Sequence, residues 1–145
     1  MTSPEWFVGD DPALVDRAKT VRRAVFIEEQ GVSEAEEMDG KDTDATHVLG
    51  AVDGSPVATT RLRFVDDATV KVERVAVLDD YRGEGLGQGV MRVAERVAAD
   101  AGAVEAQLHA QTHVRGFYEQ LGYEAHGEEF EEAGIPHVAM EKRLG

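Results

Sequence analysis

The sequence predicts a mixed α/β (α+β) sandwich, a central sheet with helices packed on it, on three observations. Residues 47–78 alternate in polarity and are rich in Val and Thr, and two stretches, 13–30 and 85–101, carry apolar side chains at helical spacing. The second of these links a strand at 71–78 to one at 104–110 as a crossover would. At 145 residues the chain has room for one compact domain and not comfortably for two.

The elements follow in order. In ALVDRAKTVRRAVFIEEQ, residues 13–30, Leu14, Ala18, Val21 and Val25 fall on one face of a helix. The polar stretch GVSEAEEMDGKDTDAT reads as a loop, with Gly31 and Gly40 and acids at Glu34, Glu36, Glu37, Asp39, Asp42 and Asp44. From His47 to Leu78, turn signals at Asp53–Pro56 and at Asp66 and Asp67 divide the alternating run into three antiparallel strands. A helix from Gly85 to Ala101 aligns Leu86, Val90, Val93, Ala94, Val97 and Ala101 and stops at Gly102. A strand at Val104–Ala110, a helix at Thr112–Leu121 ended by Gly122, and a strand at His137–Lys142 complete the chain. The order is β, α, three strands, α, β, α, β.

Composition narrows the function. There are 29 acidic and 15 basic residues, four of them lysine, for a net charge of −14. Such a surface repels nucleic acid, and it tolerates molar salt, where the Debye length falls to about 3 Å; the composition points to a halophilic setting. The absence of cysteine excludes disulfides, cysteine nucleophiles and thiolate metal sites. No apolar run approaches the roughly 20 residues that span a bilayer, and MTSPEWFVGDD has no basic segment followed by an apolar one. The expectation is a soluble, cytoplasmic protein without a membrane partner.

The strongest local signal is VAVLDDYRGEGLGQGVM, with glycines at 83, 85, 87 and 89. A dinucleotide fingerprint would need glycine at 88, 90 or 92, where Gln, Val and Arg stand, and a P-loop would need a lysine that the chain lacks between Lys71 and Lys142. What remains is a strand, a glycine turn and a helix N-terminus, whose unpaired N–H groups and positive dipole end receive an anion such as a pyrophosphate. Arg82 adds a charge. The plainer alternative is a tight strand-to-helix turn.

The segment Arg82, Gly83, Glu84, Gly85, Leu86, Gly87 resembles [RQ]xxGx[GA], the acyl-CoA pyrophosphate motif of the GNAT N-acetyltransferase superfamily, and FYEQLGYEAHGEEF resembles that family's FYxxxGF segment. The likeness covers residues 5–143. VRRAVFIEEQGVSEAEEMDGKDTDATHVLG, LHAQ and GIPHVAMEK look like the small ElaA-like subgroup. The resemblance implies a GNAT fold, a mostly antiparallel mixed sheet flanked by helices whose strands splay beside the glycine turn.

It also implies a reaction, the transfer of an acetyl group from acetyl-CoA by direct attack of a primary amine, on a small molecule rather than a protein. Main-chain groups of Val75, Ala76 and Val77 would pair with the pantetheine arm, and an N–H near Val75 would stabilise the oxyanion, an effect of about 3–4 kcal/mol per donor. Arg82, Gly83, Glu84, Gly85, Leu86, Gly87 and Gln88 would hold the pyrophosphate. Tyr118 matches the family's general acid, and Glu73 is the candidate base on the same strand. Gln111 stands where many relatives place an Asn beside the pantetheine, a departure at that contact. His109 and His113 share an HxxxH spacing across a strand-to-helix junction with no acid to complete a zinc set, so no metal is expected. His137 could line the acceptor side. The acids from Glu28 to Asp44 and from Glu128 to Glu132 read as solvated faces or as a docking rim for a cationic acceptor. A homodimer fits the family, and a non-catalytic acyl-CoA sensor or an interaction domain are the other readings.

Overall fold

The computed structural model describes residues 3–144. Its centre is a seven-stranded sheet in the order β1-β2-β3-β4-β5-β7-β6. The strands are β1 (Glu5–Gly9), β2 (Thr46–Val52), β3 (Ser55–Phe64), β4 (Thr69–Val77), β5 (Glu105–Gln111), β6 (Glu124–Glu132) and β7 (Ile135–Arg143). Every neighbouring pair is antiparallel except β4 and β5, which are joined by the crossover helix α3 (Leu86–Asp100). This is the mixed, mostly antiparallel sheet expected of the sequence. The β2–β3 hairpin turns on Asp53 and Gly54, both at positive φ, the two-residue form that matches strand twist.

Helix α1 (Pro12–Arg22) starts where the Asp11 side chain accepts a hydrogen bond from the Leu14 N–H and Pro12 sets the first turn, and it buries Val15, Ala18 and Val21. The single helix expected over 13–30 does not persist. Arg23–Glu29 widen into a π-helical segment in which the Gln30 N–H reaches the Val25 carbonyl. Such segments recur at functional sites, and this one delivers Glu29 and Gln30 to the cleft described below. A short helix α2 (Glu34–Glu37) follows, with Ser33 as its N-cap.

Helix α3 buries Leu86, Val90, Met91, Ala94 and Ala98 against the sheet, with Val93 and Val97 at the margin and Ala101 exposed. The expected helix at 112–121 is a 3-10 turn at Thr112–Val114 followed by α4 (Arg115–Gln120). The strand expected at 137–142 is the longer β7, and it has a partner, β6, that the sequence reading does not contain. β6 lies at the sheet edge and buries little, with Ala125 and Phe130 half-covered between acids. It therefore lacks the alternation that marks a strand, and pairing with β7 across the Ala133–Gly134 turn makes it one.

Trp6 of β1 settles one of the four glycines. Its indole wedges between β2 and α3, and a Cβ at Gly89 would lie 2.6 Å from Trp6 Cζ2, one at Gly50 2.7 Å from Cζ3. Gly89 is thus a packing glycine, apart from any anion. A Gly89→Ala variant should be destabilised by about 1–3 kcal/mol, although alanine favours a helix by about 1 kcal/mol over glycine. In a Trp6→Leu background the same change should be neutral or stabilising. Thermal unfolding of the four proteins checks this, and additive effects would refute the wedge.

Candidate functional site

β4 and β5 are paired from Thr69 and Glu105 as far as Val72 and Leu108, and then part. Beyond that point β4 continues only on β3 and β5 only on β7. The main chain of Glu73–Val77 therefore has no strand on its β5 side. The gap opens a cavity of about 740 Å³ that takes residues from both sheet faces, Tyr118 and Phe117 of α4 from one and Phe26, Glu29 and Gln30 of the π-helical segment from the other. Of the site residues marked in the sequence, all but Glu84 line it. Glu84 is exposed at the rim.

A β-bulge shapes the β4 wall. Between the register pairs Thr59–Ala76 and Arg61–Glu73, β3 has one residue and β4 has two, Arg74 and Val75. Arg74 sits at φ +56°, a conformation that costs a non-glycine residue about 1–3 kcal/mol. Its guanidinium holds it there. Nη2 donates to the carbonyls of Glu36 (3.1 Å) and Glu37 (3.2 Å), and Nε lies 2.7 Å from Glu37 Oε2, an electrostatic contact whose angle falls short of a hydrogen bond.

Arg74 is one edge of a larger ion cluster. Arg22 pairs with Glu37 and Asp42, each at 2.7 Å. The fully buried Arg61 donates to Asp39 (2.8 and 2.9 Å), Asp42 (3.0 Å) and Glu73 (3.0 and 3.2 Å). The loop acids Glu37, Asp39 and Asp42 are therefore neither solvated nor a docking rim; they neutralise arginines beneath the bulge.

Glu73 belongs to the same cluster. Burial raises its pKa, but the hydrogen bond from Arg63 and the charges of Arg61, Arg63 and Lys71 outweigh burial and hold it at about 2. A carboxylate so stabilised in its charged form is a poor proton acceptor. Glu73 anchors the bulge.

At the other end of the gap the chain reaches Gly83 and Gly85, both at φ +82°, with Gly85 in the N-cap position of α3. No side chain caps the helix, so the first-turn N–H groups face the cleft unpaired, and nothing lies within 4 Å of a Cβ added at either glycine. Gly87 gives room to Phe117, whose Cζ would be 3.1 Å from an added Cβ. Arg82 lines the cavity beside the glycines and is paired. Both its terminal nitrogens bond Glu29 at 2.6 Å and its Nε donates to the Val77 carbonyl at 3.0 Å. Its charge is already matched, and the open anion donors are the main-chain N–H groups.

Tyr118 is buried, burial pushes its pKa up, and among the described residues no hydrogen bond holds its hydroxyl. Its ring packs edge-on against Phe117 and Tyr123. Gln111 spans the cavity, Nε2 donating to Gln30 Oε1 at 2.8 Å. The sequence reading missed Glu29, Gln30 and Arg74 as site residues and left Glu132 within a charge run; no local pattern marks them, because distant segments bring them together. Among the described residues, no three His, Cys, Asp or Glu side chains converge as a metal set, and no helix is long and apolar enough to cross a membrane.

Residues 14–144 match the family model described as the acetyltransferase (GNAT) domain. The chain is 44% identical to the Bacillus subtilis (strain 168) protein YyaT over 91% of this chain and 90% of that one. It is 34% identical to Escherichia coli (strain K12) ElaA over 86% of this chain and 84% of that protein. The ElaA crystal structure superposes with a TM-score of 0.85, 29% identical, over 97% of this chain and 99% of that one. An acyl-CoA N-acyltransferase from Pseudomonas aeruginosa superposes with the same TM-score at 28% identity, also over 97% and 99%.

Proposed function

The chain belongs to the GNAT acetyltransferase family and is an acyltransferase, and on that premise we propose that it transfers an acetyl group from acetyl-CoA to a primary amine of a small molecule. The observation that carries this reading is the unpaired β4 edge, Glu73–Val77, running into the uncapped N-terminus of α3 along one cavity. The pantetheine arm would lie along Val75, Ala76 and Val77 as an added strand, and the Val75 N–H, turned by the bulge, would meet the thioester oxygen. The pyrophosphate would rest on main-chain N–H groups between Gly83 and Gln88. Local dipoles act at contact range, so the net charge of −14 does not prevent an anionic donor from binding.

The amine nitrogen attacks the acetyl carbon, the C–N bond forms, the C–S bond breaks, and Tyr118 gives its proton to the departing thiolate. Burial keeps the phenol protonated over the working pH range, as a proton donor requires.

Calorimetry with CoA and thiol release from acetyl-CoA across a panel of primary amines test the reading. A Gly85→Val variant, forcing a β-branched residue into positive φ, should bind CoA about tenfold more weakly or worse, equivalent to about 1.4 kcal/mol. Unchanged CoA affinity would overturn the anion site, and tight CoA binding with no thiol release on any amine would favour a sensor.

A further inference from the structure

Three side chains of the cavity lie outside the donor site. Ala106, Leu108 and Ala110 of β5 turn into the core beneath α3, so His109 and Gln111 point to the opposite face, the side of the π-helical segment. His109 is the first residue of β5 past its last pairing with β4. His137 of β7 is the register partner of Gln111, and Glu132 ends β6 just before the turn into β7. His109, His137 and Glu132 all line the cavity, on the sheet face away from Tyr118.

Their hydrogen bonds select the tautomer of each neutral ring. His137 Nδ1 lies 2.7 Å from the Ile135 carbonyl, which only accepts, so Nδ1 donates, and in the neutral ring Nε2 presents a lone pair. His109 Nδ1 likewise donates to Glu132 Oε1 at 2.9 Å. With the ring neutral, His137 Nε2 and Glu132 Oε2, 3.7 Å apart, are two acceptors facing one another. The distance is too long for a bond, yet one donor nitrogen can lie about 2.9 Å from both. The His137 side chain is only 8% exposed and lines the cavity. Phe130 closes the wall, edge-on to His109 at 4.9 Å and stacked on His137 at 6.1 Å.

We propose that Glu132 and His137 dock the acceptor as its primary ammonium, and that His137 Nε2 takes the proton that frees the amine lone pair. The inference rests on the acetyltransferase reading and names the substrate class, a cationic primary amine. Glu132 supplies the countercharge, and His109 holds that carboxylate in place as a positioning residue. The ammonium loses one proton to His137, which releases it to solvent. The second leaves the nitrogen after the C–N bond forms and, by way of solvent, replaces the proton that Tyr118 gives to the departing thiolate. Products are the acetamide, CoA thiol and one proton.

The test reads binding and turnover separately. Imidazole ¹⁵N spectra of the CoA-bound protein are followed during titration with n-butylamine hydrochloride and with n-butanol. The amine should shift His137 Nε2, the alcohol should not, and Glu132→Gln should remove the shift while CoA affinity stays within twofold. In acetyl transfer to n-alkylamines, Glu132→Gln should raise KM at least tenfold. His137→Gln should lower kcat about a hundredfold and leave a rate that climbs with pH as the free amine fraction rises; Glu131→Gln, on the exposed side, should match the parent. The profile is read with Glu132 on β6, His109 on β5 and Lys71, Glu73 and Arg74 across the gap on β4 as the neighbouring charges. An equal shift with butanol, or a shift surviving in Glu132→Gln, overturns the docking site. An unaltered kcat profile in His137→Gln overturns the proton transfer. A His137 shift with no transfer to any amine upholds the docking site and refutes the acetyltransferase reading instead.

Discussion

An Arg61→Met variant is expected to unfold with about 3–5 kcal/mol less free energy than the parent at pH 7, a fall of roughly 10–20 °C in Tm. Arg61 is fully buried and bonds three carboxylates, those of Asp39, Asp42 and Glu73. Methionine fills much of the volume but leaves those charges without their central partner. The pH dependence identifies the cause. Glu73 has a folded pKa of about 2 against an ordinary 4.5, and Asp39 and Asp42 are lowered as well. For a depressed carboxylate the stabilisation is complete above the unfolded pKa and disappears as pH falls through the folded one. The gap between parent and variant should therefore be full at neutral pH and shrink from about pH 4.5 toward pH 2. Chemical denaturation at several pH values measures it, and a gap that is small, or constant with pH, would sink the explanation. CoA affinity should fall in the same variant, because the cluster also holds Arg74 at its positive φ and so sets the direction of the Val75 N–H.

A Tyr118→Phe variant is expected to lose about 10²–10⁴-fold in kcat for acetyl transfer, with stability and CoA affinity close to the parent's. The substitution keeps the ring against Phe117 and Tyr123 and removes only a hydroxyl that no described residue bonds. Tyr123→Phe supplies the contrast. Its hydroxyl donates to Glu95 at 2.9 Å away from the cavity lining, so that change should cost stability of about 1 kcal/mol and spare kcat. Steady-state kinetics with acetyl-CoA and one working amine, beside thermal unfolding, separates the two. A kcat within threefold of the parent in Tyr118→Phe would remove the phenol from the chemistry.

Parts of the site were legible because the signal was local. Gly83 and Gly85 precede a helix of strong amphipathic pattern, and their positive φ values are what that motif demands. Tyr118 was marked by the resemblance of its segment to a family motif, and the helix-then-glycine form of that segment, set by its own neighbours, brings it to the cavity. Two residues have partners that the sequence does not announce. Glu73 meets Arg61, Arg63 and Lys71, and Arg82 meets Glu29, which is distant in sequence.

The sequence by itself determined the helices α1 and α3, the β2–β3–β4 meander with its Asp53–Gly54 turn, the crossover to β5 and the glycine entry to α3. Each of these depends on periodicity and backbone preference within a span of neighbouring residues. Only the tertiary structure decided that Gly89 serves Trp6, that acids of the 34–44 loop neutralise Arg22, Arg61 and Arg74, that an acidic edge becomes β6, and that Glu132 meets His109 and His137. The strength of a charge pair depends on burial and on distances of about 3 Å between groups far apart in the chain, and those are products of folding with no periodicity to announce them.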